Sequence, residues 1–588
     1  MESRPVSVIE FWRNPILVRY LRARLRWKGM LLTAIPTMIL VTFVSLIAYY
    51  GGSGYHQRQV FFEESMRQQE AHPSPGEGVL EEEGGDRLEH SPTPQQEVFT
   101  EARRVGARTA FVAVFVVQCC LLMLWGTFSV AVGVTRESIE GILEYQRLTP
   151  MSPLAKIVGY VLGLPIRETV LCLMTLPFTV VAIRVGEIPA DLVGKLYLVM
   201  ATSSLMYHMT GFLAGIVVKN RFMSGLLSQL LMIVLYLLLP QLSRLGYVIF
   251  LYLTVRPVFM ESLGVLFDRT ERGEMPIPAT EPFFQAEIPL VWFTLLMQGF
   301  LFSVFLLVVY RRVRNQEEHL LGKFSAIPVF GGFVTILLGT ILPGIPNESI
   351  FPSMSASALL GDRMRGFRST QPFEGEMLAI PGAFGFGMIL ILLLVVFLVT
   401  PTEDTRVKGL RLARKRGRRS VYFWADASSS LFTTLACTIL AVMAWMVFLT
   451  ALLKSEHYEG WSFVWSSWMF FPLSILVPVL FSQLILESSG RVAWFMALLF
   501  GWVVPPMAGL VLGLATQEGS DLVIYVMSLS GFSLPINAMR NGFEGVGVTP
   551  AMGAFQFSLL LHGVAVTALG GWALSKQRSL RRRTLESG

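Results

Sequence analysis

Twelve stretches of this chain run for about 20 residues with hardly a charge, and that feature alone removes nearly every soluble fold. They lie near 29–50, 109–134, 157–183, 194–217, 223–240, 289–310, 325–345, 379–400, 427–452, 466–486, 492–514 and 552–574. A helix rises 1.5 Å per residue, so roughly 20 apolar residues cross a hydrocarbon layer of about 30 Å. Only a helix or a closed barrel can satisfy every backbone hydrogen bond there, and uninterrupted apolar runs of this length select the helix. Two further apolar stretches, 246–266 and 522–538, are broken by Arg256, Pro257 and Pro535 and are expected to be re-entrant or interfacial helices. The fold class is therefore all-α: a polytopic integral membrane protein of about twelve transmembrane helices, in two sets of six.

Composition agrees, with 53% hydrophobic and 15% charged residues and a mean hydropathy of +0.56, well outside the range of ordinary soluble domains. In a soluble protein a net charge of +7 would suggest a nucleic-acid partner. Here the basic residues gather in short segments between apolar runs, where membrane orientation accounts for them, so no nucleic-acid partner is expected. With the N-terminus inside, about 30 Lys and Arg fall on the cytoplasmic side and about 16 on the other, which places both termini in the cytoplasm and the chain in a cell (inner) membrane. The first 28 residues are basic and lack a small-residue cleavage site, so the first apolar run is expected to remain as an anchor. Cys119, Cys120, Cys172 and Cys437 all lie in apolar runs with no CxxC pair or His cluster, and no metal site is expected.

Organisation along the chain is simple. Residues 1–28 form a cytoplasmic segment, 29–312 a first six-span half, 313–323 a cytoplasmic linker and 324–588 a second six-span half. Residues 51–108 form a long outer loop containing VLEEEGGDRLEHSPTPQQE, too polar to bury a core and expected to be disordered or loosely helical. The densest basic stretch, GLRLARKRGRRS at 409–420, is read as a cytoplasmic loop that sets topology and contacts anionic lipid, with protein docking as the alternative. The glycine loop that cradles nucleotide phosphates, G-x-x-x-x-G-K-[ST], is absent, as are G-x-S-x-G and H-E-x-x-H, so the chain is not expected to be an enzyme.

Two short segments stand out from the spans. In FWRNPILVRYLRARLRWKG, Asn14 can cap a helix with Pro15 in its first turn. Ile16, Leu17, Tyr20, Leu21, Leu25 and Trp27 share one stripe, and Arg19, Arg22 and Arg26 the other, as in an amphipathic helix lying at the membrane interface. The second segment, TRESIEGILEYQRLTPMSP at 135–153, lies between spans two and three. Glu137 and Ser138 are expected to open a short cytoplasmic helix on which Ile139, Ile142 and Leu143 share a face and Glu140 and Glu144 form an acidic row. Thr149, Pro150, Ser152 and Pro153 end it and start the next helix. The product is a rigid, partly apolar knob.

Candidate intramembrane polar residues are Arg167, Glu168 and His208. The first two are expected at the inner boundary of span three, a conformational or substrate-contact role being the alternative. His208, like His562, is read as a hydrogen-bonded packing residue. The glycines of PGAFGFG at 381–387, and Gly509 with Gly513, are read as allowing close helix packing.

The run RESIEGILEYQRLTPMSPLAKIVGYVLG at 136–163 resembles the membrane subunits of ABC type-2 transporters, in which an acidic-Gly-Leu helix precedes Thr-Pro-x-Ser-Pro and the third span. NPILVRYLRARLR resembles that family's N-terminal elbow helix, and the order of elements agrees over residues 8 to about 312. The resemblance implies a permease, most simply an exporter. Its coupling helix at 136–148, with Glu137, Ile139, Glu140, Ile142, Leu143, Glu144, Arg147, Thr149 and Pro150, would dock on a separate ATP-binding subunit. That subunit, as a dimer or in two copies, would hold ATP and magnesium, with no cofactor in this chain. Membrane lipid is a further expected partner, and a second permease chain is left open. The second half lacks a clean copy of the coupling motif and is read as a degenerate repeat or an accessory bundle. Two other classes stay open: a non-transporting membrane scaffold driven by an ATPase, and a secondary transporter.

Overall fold

The computed structural model describes residues 14–70, 94–245, 247–267, 280–315, 319–345, 374–418, 421–455, 458, 462–463, 470–516, 521–544 and 552–586. Most of the acidic outer sequence, the first 13 residues and part of the 313–323 linker fall outside these. The described chain is helical except for two short antiparallel strand pairs, Thr280–Phe283 with Ala286–Pro289 and Ser462–Phe463 with Phe543–Glu544. Among the described residues, ten helices are long and apolar enough to cross a membrane. The protein is a multi-pass membrane protein.

Ten is fewer than the twelve runs read from sequence, for two physical reasons. The helix Ala190–Val217 is 28 residues long but carries Asp191, Lys195 and a polar row through Thr202, Ser203, Ser204, His208 and Thr210, which lowers its hydropathy. The run Phe470–Gly513 counts once although it contains two segments. At Gly490 the backbone leaves helical geometry, with φ +87° and ψ −177°. Beyond it the Trp494 indole donates to the Ser482 hydroxyl, and the Trp502 ring lies 5.5 Å from Phe481. In a straight helix those two rings would stand about 31 Å apart, so the chain folds back on itself at Gly490.

The chain divides into two compact units, residues 1–236, 252–280 and 289–305, and residues 237–251, 281–288 and 306–588. The division between halves expected at the 313–323 linker thus falls earlier, within the helix Leu290–Arg314, and residues 237–251 and 281–288 group with the second half.

In the first unit, α1 (Pro15–Arg24) is followed by α2 (Trp27–Glu70). Span two is built from α3 (Pro94–Cys119), a π-helical stretch (Cys120–Gly126) and α4 (Thr127–Ile139). Next come α5 (Ile142–Arg147), α6 (Pro153–Gly163), α7 (Ile166–Met174), α8 (Leu176–Gly186), α9 (Ala190–Val217), α10 (Arg221–Ile233) and α11 (Arg256–Leu266). The expectation of a disordered or loose outer loop at 51–108 is corrected at both ends. α2 continues to Glu70 and α3 starts at Pro94, and the two pair as antiparallel rods. Small residues make this approach feasible. A Cβ on Gly52 would lie 2.4 Å from the Thr109 hydroxyl, and one on Gly106 2.7 Å from the Tyr49 carbonyl.

The helix α12 (Leu290–Arg314) belongs to the first unit as far as Phe305, continues into the second and ends in the cluster Arg311, Arg312 and Arg314. It is followed by α13 (Lys323–Ile341), α14 (Glu374–Val399), α15 (Glu403–Lys415), α16 (Leu431–Leu453), α17 (Phe470–Leu498), α18 (Val504–Thr516), α19 (Asp521–Ser528), α20 (Ser533–Gly542) and α21 (Met552–Glu586). Residues 409–415, part of the stretch 409–420 read from sequence as a loop, belong to the helix Glu403–Lys415. The glycines of 381–387 serve close packing as expected: Gly385 faces the Trp445 ring and Gly387 the Tyr247 hydroxyl, which donates to the Phe384 carbonyl at 2.7 Å. Gly509 and Gly513 likewise face Met527 and Val523.

Candidate functional site

The knob between spans two and three is assembled by local stereochemistry at three points. α4 ends at Ile139, and Gly141 then takes a left-handed conformation, φ +71°, that costs any L side chain about 1 kcal/mol or more. The short α5 follows and is closed where the Leu148 and Thr149 amides donate to the Tyr145 and Gln146 carbonyls. Ser152 then caps α6 by accepting from the Ala155 amide, with Pro153 in the first turn. The Ser152–Pro153 start is as expected; the single helix expected from 137 to 147 is instead broken at Gly141. Glu137 and Ser138 belong to the last turn of α4, so Ile139 does not share a helix face with Ile142 and Leu143, and the Glu140–Glu144 row is interrupted at the glycine. The residue between them is what stops a continuous helix.

That displacement changes the chemistry of Glu137. Placed by sequence on the docking surface, it is buried, with 5% of its surface exposed. Its carboxylate accepts from the Arg19 guanidinium and the Tyr20 hydroxyl of α1, and from the Tyr160 hydroxyl of α6. The Tyr160 hydroxyl also lies 2.6 Å from the Gln146 side-chain oxygen, on α5. One buried acid therefore ties together the N-terminal helix, the C-terminal end of span two and α6, and through Tyr160 reaches the knob helix. Burial pushes the Tyr20 hydroxyl up to about 12, against the opposing pull of Arg19. It stays a neutral donor to the carboxylate at neutral pH.

The N-terminal helix sits as its sequence dictates. The Asn14 side chain accepts from the Ile16 and Leu17 amides, at 3.0 and 3.4 Å, and donates to the Ala155 carbonyl on α6. Ile16, Leu17 and Tyr20 are buried against α6, whose Gly159 and Gly163, four residues apart, form the groove. Part of the apolar stripe expected to face lipid is thus covered by protein. Pro15, Arg19 and Arg22 lie on the exposed side, and Trp27 begins α2 instead of extending the stripe.

The knob presents Ile139, Tyr145 and Leu148, exposed by 51%, 71% and 83%. Ile142, Leu143, Arg147 and Thr149 are half-buried, and Glu144 and Pro150 exposed. Tyr145 and Leu148 were missed in the sequence, although their positions three and six residues after Ile142 were the available signal. Glu140 pairs with Arg136 at 2.9 Å and with Arg221, at the start of α10, at 3.0 Å. Burial lowers the pKa of Lys156, whose amine reaches the Thr149 carbonyl at 3.5 Å. The arrangement can bind a complementary surface and pass displacement to α1, α4 and α6.

A second polar group lies deeper in the first unit. Glu168, in the first turn of α7 after the break at Leu164–Pro165, accepts from Ser129 at 2.7 Å and Arg167 at 2.9 Å. Since α6 is a separate short helix and the apolar run long enough to span begins at Ile166, this pair sits at the start of that run. His208 is buried elsewhere, with Nε2 3.0 Å from the Leu122 carbonyl. That carbonyl belongs to the π-helical stretch, in which the Leu124 carbonyl, already bonded by the Thr127 amide, also accepts from the Gln229 side chain at 3.0 Å. His208 is the packing residue that the sequence suggests. The described residues contain no cluster of three or more His, Cys, Asp or Glu that could hold a metal. No family model, curated protein or solved structure matches the chain.

Proposed function

We propose that this chain is the membrane permease subunit of an ATP-driven transporter of the ABC type-2 kind, working as an exporter with a separate ATP-binding subunit that holds ATP and magnesium. The observation that carries the reading is the knob at residues 140–150. It is a six-residue helix with exposed Tyr145 and Leu148, pinned at its base by Gly141, Pro150 and the Glu137 cluster. A connector between two spans needs none of this, whereas a surface that must receive force and pass it to lipid-embedded helices needs both the apolar contact and the stiff base. In this reading the knob faces the cytosol, α1 is an interfacial elbow helix, and counting Ala190–Val217 and both arms of the Gly490 hairpin gives twelve spans. Among the described residues the second unit shows no matching knob, and in this reading it serves as a degenerate second half.

Affinity purification of the intact chain from native membranes tests the proposal. An ATPase should co-purify, and the double substitution Tyr145→Ala with Leu148→Ala should release it while the chain remains folded. ATP hydrolysis by the complex should rise on adding the transported substrate; an ATPase that binds but never responds to any solute would leave a driven scaffold. Transport by the purified chain alone, down a gradient, would refute the proposal.

A further inference from the structure

α15 is a basic helix held in a defined place, and its two faces differ in chemistry. The inner face carries Arg406, Gly409 and Ala413, at spacings of three and four. Arg406 and Ala413 are buried, and a Cβ on Gly409 would fall 2.2 Å from the Ala427 methyl, so the helix lies directly on the turn that leads into α16. Arg406 pairs with Glu487 of α17 at 2.7 Å, both side chains almost fully buried, and Glu403 pairs with Lys576 of α21 at 2.7 Å. The C-terminus is closed by Gly417 in a left-handed conformation, φ +69°, with the Gly417 and Arg418 amides donating to the Arg414 and Ala413 carbonyls. This bracing runs through Glu403, Arg406, Gly409 and the Gly417 cap.

On that outer face Lys408, Arg411, Arg414, Lys415, Arg416 and Arg418 are exposed, with no carboxylate between residues 408 and 418. Among the described residues Arg411, Lys415, Arg416 and Arg418 have no ion pair. Leu412 is 49% exposed among them. Immediately after the helix, Phe423, Trp424 and Phe432 pack edge to face with ring centroids 5.0–5.7 Å apart, and Trp424 also meets Phe324 at 5.6 Å. Phe324 and Phe432 open two apolar spans, Lys323–Gly344 and Leu431–Leu453. Two spans thus begin beside one aromatic cluster, the composition of a membrane–water boundary. A basic helix resting on the turn that leads into this cluster would stand at the level of the headgroups.

We propose that Arg411 and Lys415 on α15, with Arg416 and Arg418 in the turn that closes it, form a binding site for the phosphate-bearing headgroups of anionic phospholipids, with Trp424 at the acyl boundary below them. Charge complementarity selects this occupant, since a cationic strip at headgroup depth meets lipid phosphate before it meets protein, and a juxtamembrane strip of this kind attracts anionic lipid. The test uses the intact chain in nanodiscs of phosphatidylcholine with increasing phosphatidylglycerol, either lipid brominated on its acyl chains. Quenching of Trp424 is read as the difference from Trp424→Phe. Brominated phosphatidylglycerol should half-quench Trp424 at about a tenfold lower mole fraction than brominated phosphatidylcholine, and raised salt should narrow the gap. The variant Arg411→Gln/Lys415→Gln/Arg416→Gln/Arg418→Gln, which leaves Arg406, Glu403 and Gly417 intact, should abolish it. Arg411→Lys/Arg416→Lys/Arg418→Lys should keep it, which separates charge from folding. Equal quenching by the two lipids in the unaltered protein, or an undiminished preference in the glutamine variant, would overturn the proposal. So would loss of a co-purifying protein in the glutamine variant with no lipid preference to lose, which would reassign the face to protein docking.

Discussion

Glu137→Ala is the perturbation with the most to say about how the first unit is held together. The substitution removes the one acceptor shared by Arg19, Tyr20 and Tyr160. Breaking a fully buried ion pair costs about 3–5 kcal/mol, because the surviving charge is stranded. Here the Arg19 side chain is 44% exposed and can recover water, so its share drops to the surface range of about 0–1 kcal/mol. The two phenols cannot recover water as easily, and each buried donor left unpaired costs about 1–3 kcal/mol. Tyr160 keeps its contact with Gln146, which places its share at the low end. The sum is a loss of about 2–5 kcal/mol, measurable by titrating the purified chain with dodecyl sulfate and following tryptophan emission. A cycle with Tyr160→Phe should return a coupling energy of about 1 kcal/mol, since the two residues touch. A single-mutant loss under about 0.5 kcal/mol, or additive effects in the cycle, would show that the cluster does not bind α1, α4 and α6 together.

Gly141→Ala should destabilise by about 1 kcal/mol through its left-handed backbone alone, since no atom lies near a Cβ there; because the strain sits at the base of the knob, it should also weaken ATPase capture, measured by co-purification. Gly387→Ala would place a Cβ 1.9 Å from the Tyr247 hydroxyl, and should cost about 1–3 kcal/mol in the same dodecyl sulfate titration while displacing Tyr247 from the Phe384 carbonyl. His319, in the segment between α12 and α13, is held neutral by burial despite Asp426 nearby, with Lys323, Arg311 and Arg491 also opposing its charging. Its folded pKa lies below the ordinary value of 6.5, so the stability it contributes is complete above that pH and is lost as pH falls below it. Unfolding midpoints should therefore fall between pH 6.5 and 5, and His319→Gln should flatten the decline. The opposite sign holds for Tyr20: its pKa is raised to about 12, so its contribution is complete below pH 10 and fades as pH rises from 10 to 12, a loss that Tyr20→Phe should remove.

What could be read from the chain divides by the range of the interaction. Asn14 with Pro15, and Ser152 with Pro153, act within three residues, and both caps are found where the letters place them. The apolar runs were legible for the same reason, since solvation by lipid is a property of each segment by itself. Glu137 was misplaced because its partners lie 118, 117 and 23 residues away, and nothing local distinguishes an exposed acid from a buried one. Gly141 did carry a local signal, the only residue in that run able to reverse the backbone hand cheaply, but it was read as part of a helix motif. α15 was taken for a loop because its bracing partner Glu487 is distant in sequence and arginine at a buried position reads as solvent-facing.

The wide turn at Cys120–Gly126 has a consequence for everything on its inner side. A regular helix advances about 100° for each residue, so a turn that absorbs one residue more than its neighbours resets the azimuth of whatever follows by roughly that angle. Val98–Cys119 and Thr127–Ile139 are continuous as a rod yet aim their side chains on independent bearings. His208 and Gln229 clasp the joint from neighbouring helices, and the bearing they preserve is the one that points Glu137 at Arg19.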